Sequence, residues 1–156
     1  MALHFTDTEF ADRKARLLAS MQAANIDALL MFRQESMYWL TGYDTFGYVY
    51  FQSLVLTADG RVVLMTRAPD LRQAQNTSNI ADIRIWVDRD GASPADDLRA
   101  ILDELALAGG RLGVEYEAYG LTGRNAMRLN AALDGFATLV DESEMVSRLR
   151  LGKSAA

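Results

Sequence analysis

The run Ala28-Leu29-Leu30-Met31-Phe32 constrains the fold more than any other stretch of the chain. Five consecutive apolar residues are too few for a helix, and with no polar residue among them neither face of an extended strand there can meet water. A strand covered on both sides belongs inside a sheet that carries helices above and below. Upstream, Thr6, Asp7 and Thr8 offer N-cap oxygens to an amphipathic first helix. Its Phe10, Leu17, Leu18 and Met21 recur at helical spacing, while Asp12, Arg13, Lys14 and Arg16 take the other side. Downstream, a helix of one or two turns over Glu35–Leu40 stops at Thr41-Gly42.

From Phe46 to Leu56 the chain is aromatic and β-branched and reads as a strand, which Ala58-Asp59-Gly60 turns into Arg61–Thr66 as a hairpin. Pro69 opens a short helix, Ile83–Val87 alternates as a strand, and Ser93-Pro94 starts a further helix. That helix places Leu98, Ile101, Leu102 and Leu105 in one apolar stripe and is expected to end at Gly109-Gly110. Leu112–Glu115 reads as a strand, a helix follows from about Leu121, Ala137–Asp141 is the last strand, and Glu144–Leu151 is a short helix with a basic end. Helices and strands alternate throughout, so the class is α/β, with a mixed sheet of about six strands flanked by helices. No linker divides the 156 residues, which suffice for one sizeable core.

Several chemistries are excluded by what the chain lacks. It has no cysteine, which removes disulfides, thiolate metal sites and thiol nucleophiles. The 16 Lys and Arg against 21 Asp and Glu give a net charge of −5 with no basic stripe, so no nucleic-acid partner is expected. No basic flank precedes an apolar run at the N-terminus and no stretch approaches 18 apolar residues, so the expectation is a cytoplasmic protein without a membrane partner. The one histidine, His4, stands in a segment expected to fray, and neither a Ser-His-Asp arrangement nor a two-histidine zinc site can be built. Gly152-Lys153-Ser154 resembles the end of a phosphate loop, but Ser147 occupies the place of the required first glycine. Glu115 and Glu117 flank Tyr116 as a carboxylate pair. Without a histidine or third carboxylate beside them, an ordinary solvated loop is the expectation.

The unusual segment is Trp39–Phe51, which holds Trp39, Tyr43, Phe46, Tyr48, Tyr50 and Phe51, six aromatics in thirteen residues. Read as a strand, it puts Phe46, Tyr48 and Tyr50 on one face and Val49 and Phe51 on the other. Trp39, Tyr43, Asp44, Phe46, Tyr48 and Tyr50 are therefore the candidate substrate-proximal or interface residues. A covered sheet face, a subunit contact and a pocket wall all fit them. Asp44 fits a helix cap, a turn or a polar pocket residue alike.

The order of these motifs resembles the N-terminal domain of the creatinase/prolidase family. The likeness is carried by Arg13-Lys14-Ala15-Arg16-Leu17-Leu18, Ile26-Asp27-Ala28-Leu29-Leu30 and Met37-Tyr38-Trp39-Leu40-Thr41-Gly42-Tyr43-Asp44. The Asp59-Gly60 hairpin, Leu112-Gly113-Val114-Glu115 and Ser147-Arg148-Leu149-Arg150-Leu151-Gly152-Lys153-Ser154 complete it. The resemblance implies a ribonuclease H-like α/β domain over 1–148, with 149–156 as the start of a connection to a C-terminal catalytic domain outside this chain. It also implies a parent that cleaves before proline, using two divalent metals (manganese, cobalt or zinc) held by that second domain, and no cofactor or catalytic residue in this one. Creatinase-like or ectoine-derivative hydrolysis is the alternative, and a stand-alone binding or oligomerisation module is another. The implied partners are the catalytic domain, a second copy in a homodimer, and a small peptide or amino-acid-derived substrate. Tyr48 and Tyr50 match places where creatinase-like members present substrate-contacting side chains, but those members carry arginine where Tyr50 stands. A phenol cannot reproduce the bidentate charged contact of a guanidinium.

Overall fold

A computed structural model describes residues 3–152. Six strands form one sheet in the order β4-β3-β2-β1-β5-β6: β1 (Ala28–Met31), β2 (Ser53–Thr57), β3 (Val62–Arg67), β4 (Asp82–Trp86), β5 (Arg111–Val114) and β6 (Thr138–Asp141). β2 is antiparallel to both its neighbours, and every other pairing is parallel, so β2 alone runs against the rest. The apolar run is the central strand β1, buried at all four positions.

Alternation along β1 divides the core into two layers. Leu29 and Met31, with Leu54, Leu56 and Leu64, pack under α1 (Asp7–Ala23), α2 (Gln34–Thr41), α3 (Leu71–Thr77) and α6 (Met145–Leu151). Ala28 and Leu30, with Val55, Val63, Met65, Leu112 and Val114, pack under α4 (Pro94–Glu104) and α5 (Gly123–Leu133). A one-turn 3-10 helix over Ala68–Asp70 leads into α3.

The local signals for α1, α2 and the hairpin are realised. The Thr6 hydroxyl caps α1 by accepting from Glu9 N, and Gly42 closes α2 at φ 83° with its N–H on the Tyr38 carbonyl. The Asp59-Gly60 turn joins β2 to β3 in register Ser53↔Met65 through Leu56↔Val62. Four expectations are corrected. The strand expected from Phe46 begins only at Ser53, so 46–52 is a loop, and Val49 is exposed while Phe51, expected on the same strand face, is buried. α4 ends at Glu104, five residues before Gly109-Gly110, because Ala106 adopts φ 60° and the Ala106 and Leu107 N–H groups bond back to Asp103 and Leu102.

Arg13, placed on the polar side of α1, is buried. Its guanidinium donates to the Trp39 carbonyl at 2.8 Å, pairs with Glu9 at 3.0 Å and lies 4.0 Å over the Phe5 ring. His4, expected to fray, shares a 2.5 Å hydrogen bond between Nδ1 and the Tyr38 hydroxyl. The connection expected over 149–156 starts inside α6, and its residues 153–156 lie outside the described residues, as does the Lys153-Ser154 end of the phosphate-loop resemblance.

Candidate functional site

Because β2 runs opposite to the other five strands, the segment that feeds it from α2 must cross the carboxyl edge of the sheet. That edge is where open α/β sheets gather binding groups. The aromatic loop therefore lies over the ends of β1, β3, β4 and β5, and its side chains divide into inward anchors and outward tips.

Tyr43 is the inward anchor. It is fully buried, its hydroxyl donates to Gln52 Oε1 at 2.9 Å and shares a 3.1 Å contact with Thr66 Oγ1, and its carbonyl accepts from Gln34 Nε2 at 2.7 Å. Burial pushes its phenol above the ordinary tyrosine value. The next anchor is Asp70, at the end of the 3-10 turn. Its Oδ1 accepts from Thr45 Oγ1 at 2.9 Å, and Thr45 Oγ1 in turn accepts from Gly47 N at 2.9 Å. A Cβ at Gly47 would sit 2.5 Å from Asp70 Oδ2, so a larger residue there would displace the Asp70 carboxylate. Arg67, 3.7 Å from Asp70 Oδ2, lays its guanidinium 3.4 Å over the Tyr50 ring. Trp86 Nε1 donates to the Phe51 carbonyl at 3.0 Å, and Phe51 is buried edge-on to Phe32.

Outward from this frame stand Phe46 (88% exposed), Tyr48 (42%), Val49 and Tyr50 (43%), with Tyr119 (76%) edge-on to Tyr48 at 5.8 Å. The candidate residues thus separate. Trp39 and Tyr43 are core, and Phe46, Tyr48 and Tyr50 form an exposed aromatic ridge. Asp44 is an exposed loop residue whose backbone N–H donates to Thr77 Oγ1 at 3.0 Å. Two clefts flank the start of α2. One of about 300 Å³ is bounded by Arg33, Glu35, Tyr48, Glu117 and Tyr119, and one of about 390 Å³ by Phe5, Tyr38, Trp39, Asp44 and Arg150.

The buried carboxyl that sequence reading missed is Glu115. Expected in a solvated loop, it is fully buried, whereas Glu117 is exposed. Glu115 Oε1 accepts from the backbone N–H groups of Phe32 and Arg33 at 3.0 and 3.1 Å, and Oε2 accepts from Ser36 Oγ at 2.6 Å. A carboxylate from the end of β5 therefore fixes the turn that leads into α2 through the Phe32 and Arg33 N–H groups and the Ser36 hydroxyl, while Arg33, the N-cap, makes no side-chain capping bond. Burial outweighs these three bonds and the field of Arg33 and raises its pKa to about 7. Its partners stand 79 to 83 positions earlier in the chain, so no local signal in the sequence marked it.

Among the described residues no three His, Cys, Asp or Glu side chains converge to hold a metal ion. The two metals that the resemblance implies find no ligand set among the described residues. No described helix is long and apolar enough to cross a membrane.

Comparison with known proteins gives the class of this α/β domain. The creatinase/prolidase N-terminal domain family matches residues 13–151, and the chain belongs to that family. It is 31% identical, over 97% of its length, to an uncharacterized hydrolase/peptidase, y4tM, of Sinorhizobium fredii. It is 27% identical, over 99% of its length, to the ectoine hydrolase of Halomonas elongata. The chain spans 40% of each of these two relatives. A crystal structure of a Xaa-Pro aminopeptidase from Streptococcus pyogenes superposes with a TM-score of 0.74 at 23% identity, over 93% of this chain and 100% of that one.

Proposed function

We propose that this chain is the non-catalytic N-terminal domain of a Xaa-Pro dipeptidase- or aminopeptidase-like hydrolase, supporting dimerisation and shaping substrate access to an active site in a C-terminal domain. The observation that carries this reading is the aromatic ridge. Phe46, Tyr48, Tyr50 and Tyr119 stand exposed while Tyr43, Asp70 and Arg67 hold their loop from beneath. A protein that fixes apolar rings toward solvent in this way presents them to a partner surface. In the proposed parent that surface is the catalytic domain or a second copy, and the cleft beside Tyr48 borders the substrate's path. The metals belong to the catalytic domain, and substrate is a short peptide or an amino-acid derivative.

The direct test is turnover by the purified chain. With Mn²⁺ or Co²⁺ present it is expected to hydrolyse no proline dipeptide, and robust turnover by pure material overturns the non-catalytic role. In the whole protein, Tyr48→Ala and Tyr50→Ala are expected to raise KM or weaken the dimer measured by light scattering, and an effect on neither removes the ridge from function. The match to ectoine hydrolase favours a second reading, in which the parent hydrolyses ectoine or a similar amino-acid derivative. Parallel assays of the whole protein on proline dipeptides and on ectoine separate the two.

A further inference from the structure

We propose that the cleft of about 390 Å³ between the start of α2 and the end of α6 binds a free α-amino acid with an apolar ring side chain. Phe5, Tyr38 and Trp39 form its wall. Two of these rings are held in place, since the Arg13 guanidinium lies 4.0 Å over Phe5 and the Tyr38 hydroxyl is bonded to His4 Nδ1. Trp39 is only 9% exposed, yet its indole N–H has no partner among the described residues. A tryptophan buried to that degree ordinarily finds an acceptor. Trp86, the chain's other tryptophan, does so by donating to the Phe51 carbonyl at 3.0 Å.

Charges of both signs stand around the same space. Arg150 comes from α6, Glu35 from the first turn of α2 and Asp44 from the loop. Among the described residues no hydrogen bond or ion pair engages any of these three side chains, so they do not neutralise one another. Arg13, the other cation of the wall, is already committed to Glu9 and the Trp39 carbonyl. A purely apolar ligand would leave the three charges and the Trp39 N–H unanswered, and the two carboxylates repel a phosphate. A zwitterion answers all of them. Its carboxylate accepts from Arg150 and from the Trp39 N–H, its ammonium donates to Glu35 or Asp44, and its ring packs on Tyr38 and Phe5. The volume lies within the range of about 300–1,000 Å³ found for small-molecule sites.

The experiment is an NMR titration of the intact, isotope-labelled chain with L-phenylalanine up to about 20 mM, read at the indole N–H signals of Trp39 and Trp86. Expected is a saturable shift of the Trp39 signal with a dissociation constant of about 1–5 mM, while Trp86, in the opposite core layer, stays unmoved. N-acetyl-L-phenylalanine lacks the ammonium and L-phenylalaninamide lacks the carboxylate. Each is expected to bind at least about fivefold more weakly, as is L-phenylalanine itself to Arg150→Gln. Glycyl-L-phenylalanine, whose charges stand a residue further apart, is expected to bind more weakly as well. Absence of a saturable Trp39 shift, a shift shared by Trp86, undiminished binding of either singly charged analogue, or tighter binding of the dipeptide overturns the site. The comparison of ligands on the wild-type chain decides the question even where Arg150→Gln folds poorly.

Discussion

Gly120→Ala tests how the aromatic ridge is seated. An ideal Cβ at Gly120 lies 2.2 Å from the Tyr50 carbonyl oxygen and 3.1 Å from that of Tyr48. Ordinary van der Waals contact begins near 3.4 Å, so the methyl group must push the 48–50 backbone away by roughly 1 Å. The obstacle is backbone, held on its far side by Arg67 over Tyr50, so a rotamer change cannot relieve the clash. Overpacking of this kind costs about 1–3 kcal/mol. With a urea slope of about 2 kcal/mol per molar, the unfolding midpoint is expected to fall by about 0.5–1.5 M. Gly123→Ala, three residues on, is the matched control. It opens α5 with nothing within 4 Å of its Cβ, so the same substitution is expected to be neutral or to stabilise by about 0.5 kcal/mol through the unfolded chain. In one denaturation series Gly120→Ala alone should therefore lose stability. If Gly120→Ala unfolds within about 0.5 kcal/mol of the wild type, the 48–50 and 118–121 segments do not pack as described, and the account of the ridge fails.

Stability should depend on pH through Glu115. Its folded pKa of about 7 lies above the unfolded value, so its contribution is fully present below about pH 4.5 and is lost as pH rises through 7, an upper bound of about 3 kcal/mol. Unfolding at pH 5 and pH 8 should show wild type losing most of that, up to about 2.5 kcal/mol, relative to Glu115→Gln, and an unchanged difference sinks the assignment. Tyr43→Phe leaves the ring in place but removes a donor to Gln52 and a partner of Thr66, with an expected cost of about 1–2 kcal/mol in urea unfolding. Asp70→Ala frees Thr45 and Arg67 together, and faster chymotrypsin cleavage within 46–50 is expected while far-UV circular dichroism stays native.

Much of the fold was legible because its signals are local. The five apolar residues of β1, the Thr6 cap, the Gly42 stop and the Asp59-Gly60 turn each act within a few positions and needed no knowledge of distant contacts. The errors have equally physical causes. Aromatic and β-branched residues favour strands, so Phe46–Gln52 read as one, yet the segment must cross the sheet edge before β2 can begin and is captured there by Asp70 and Gln34. The end of α4 was misplaced because an alanine, not a glycine, takes the left-handed position. Arg13 was placed in water by its charge, whereas Glu9, the Trp39 carbonyl and the Phe5 ring satisfy it inside.

The candidate site was less legible than the fold because its frame is assembled from far apart in the chain. Thr45 meets Asp70 across 25 positions, and Ser36 meets Glu115 across 79. Neither pair has a periodic signature, and although Glu115 closes the Leu112–Glu115 motif, nothing in that motif names its partners. The arrangement does separate two tasks that a single segment must perform. Tyr43, Asp70 and Glu115 hold the loop from within the protein, where each loss strands buried polar partners and costs stability. Phe46, Tyr48 and Tyr50 are exposed at its surface, where side chains can change with little effect on the fold. Substitutions at the ridge should therefore alter recognition at nearly constant stability, and substitutions in its frame should alter both. That divergence distinguishes a presented contact surface from aromatic residues that merely cover a sheet edge.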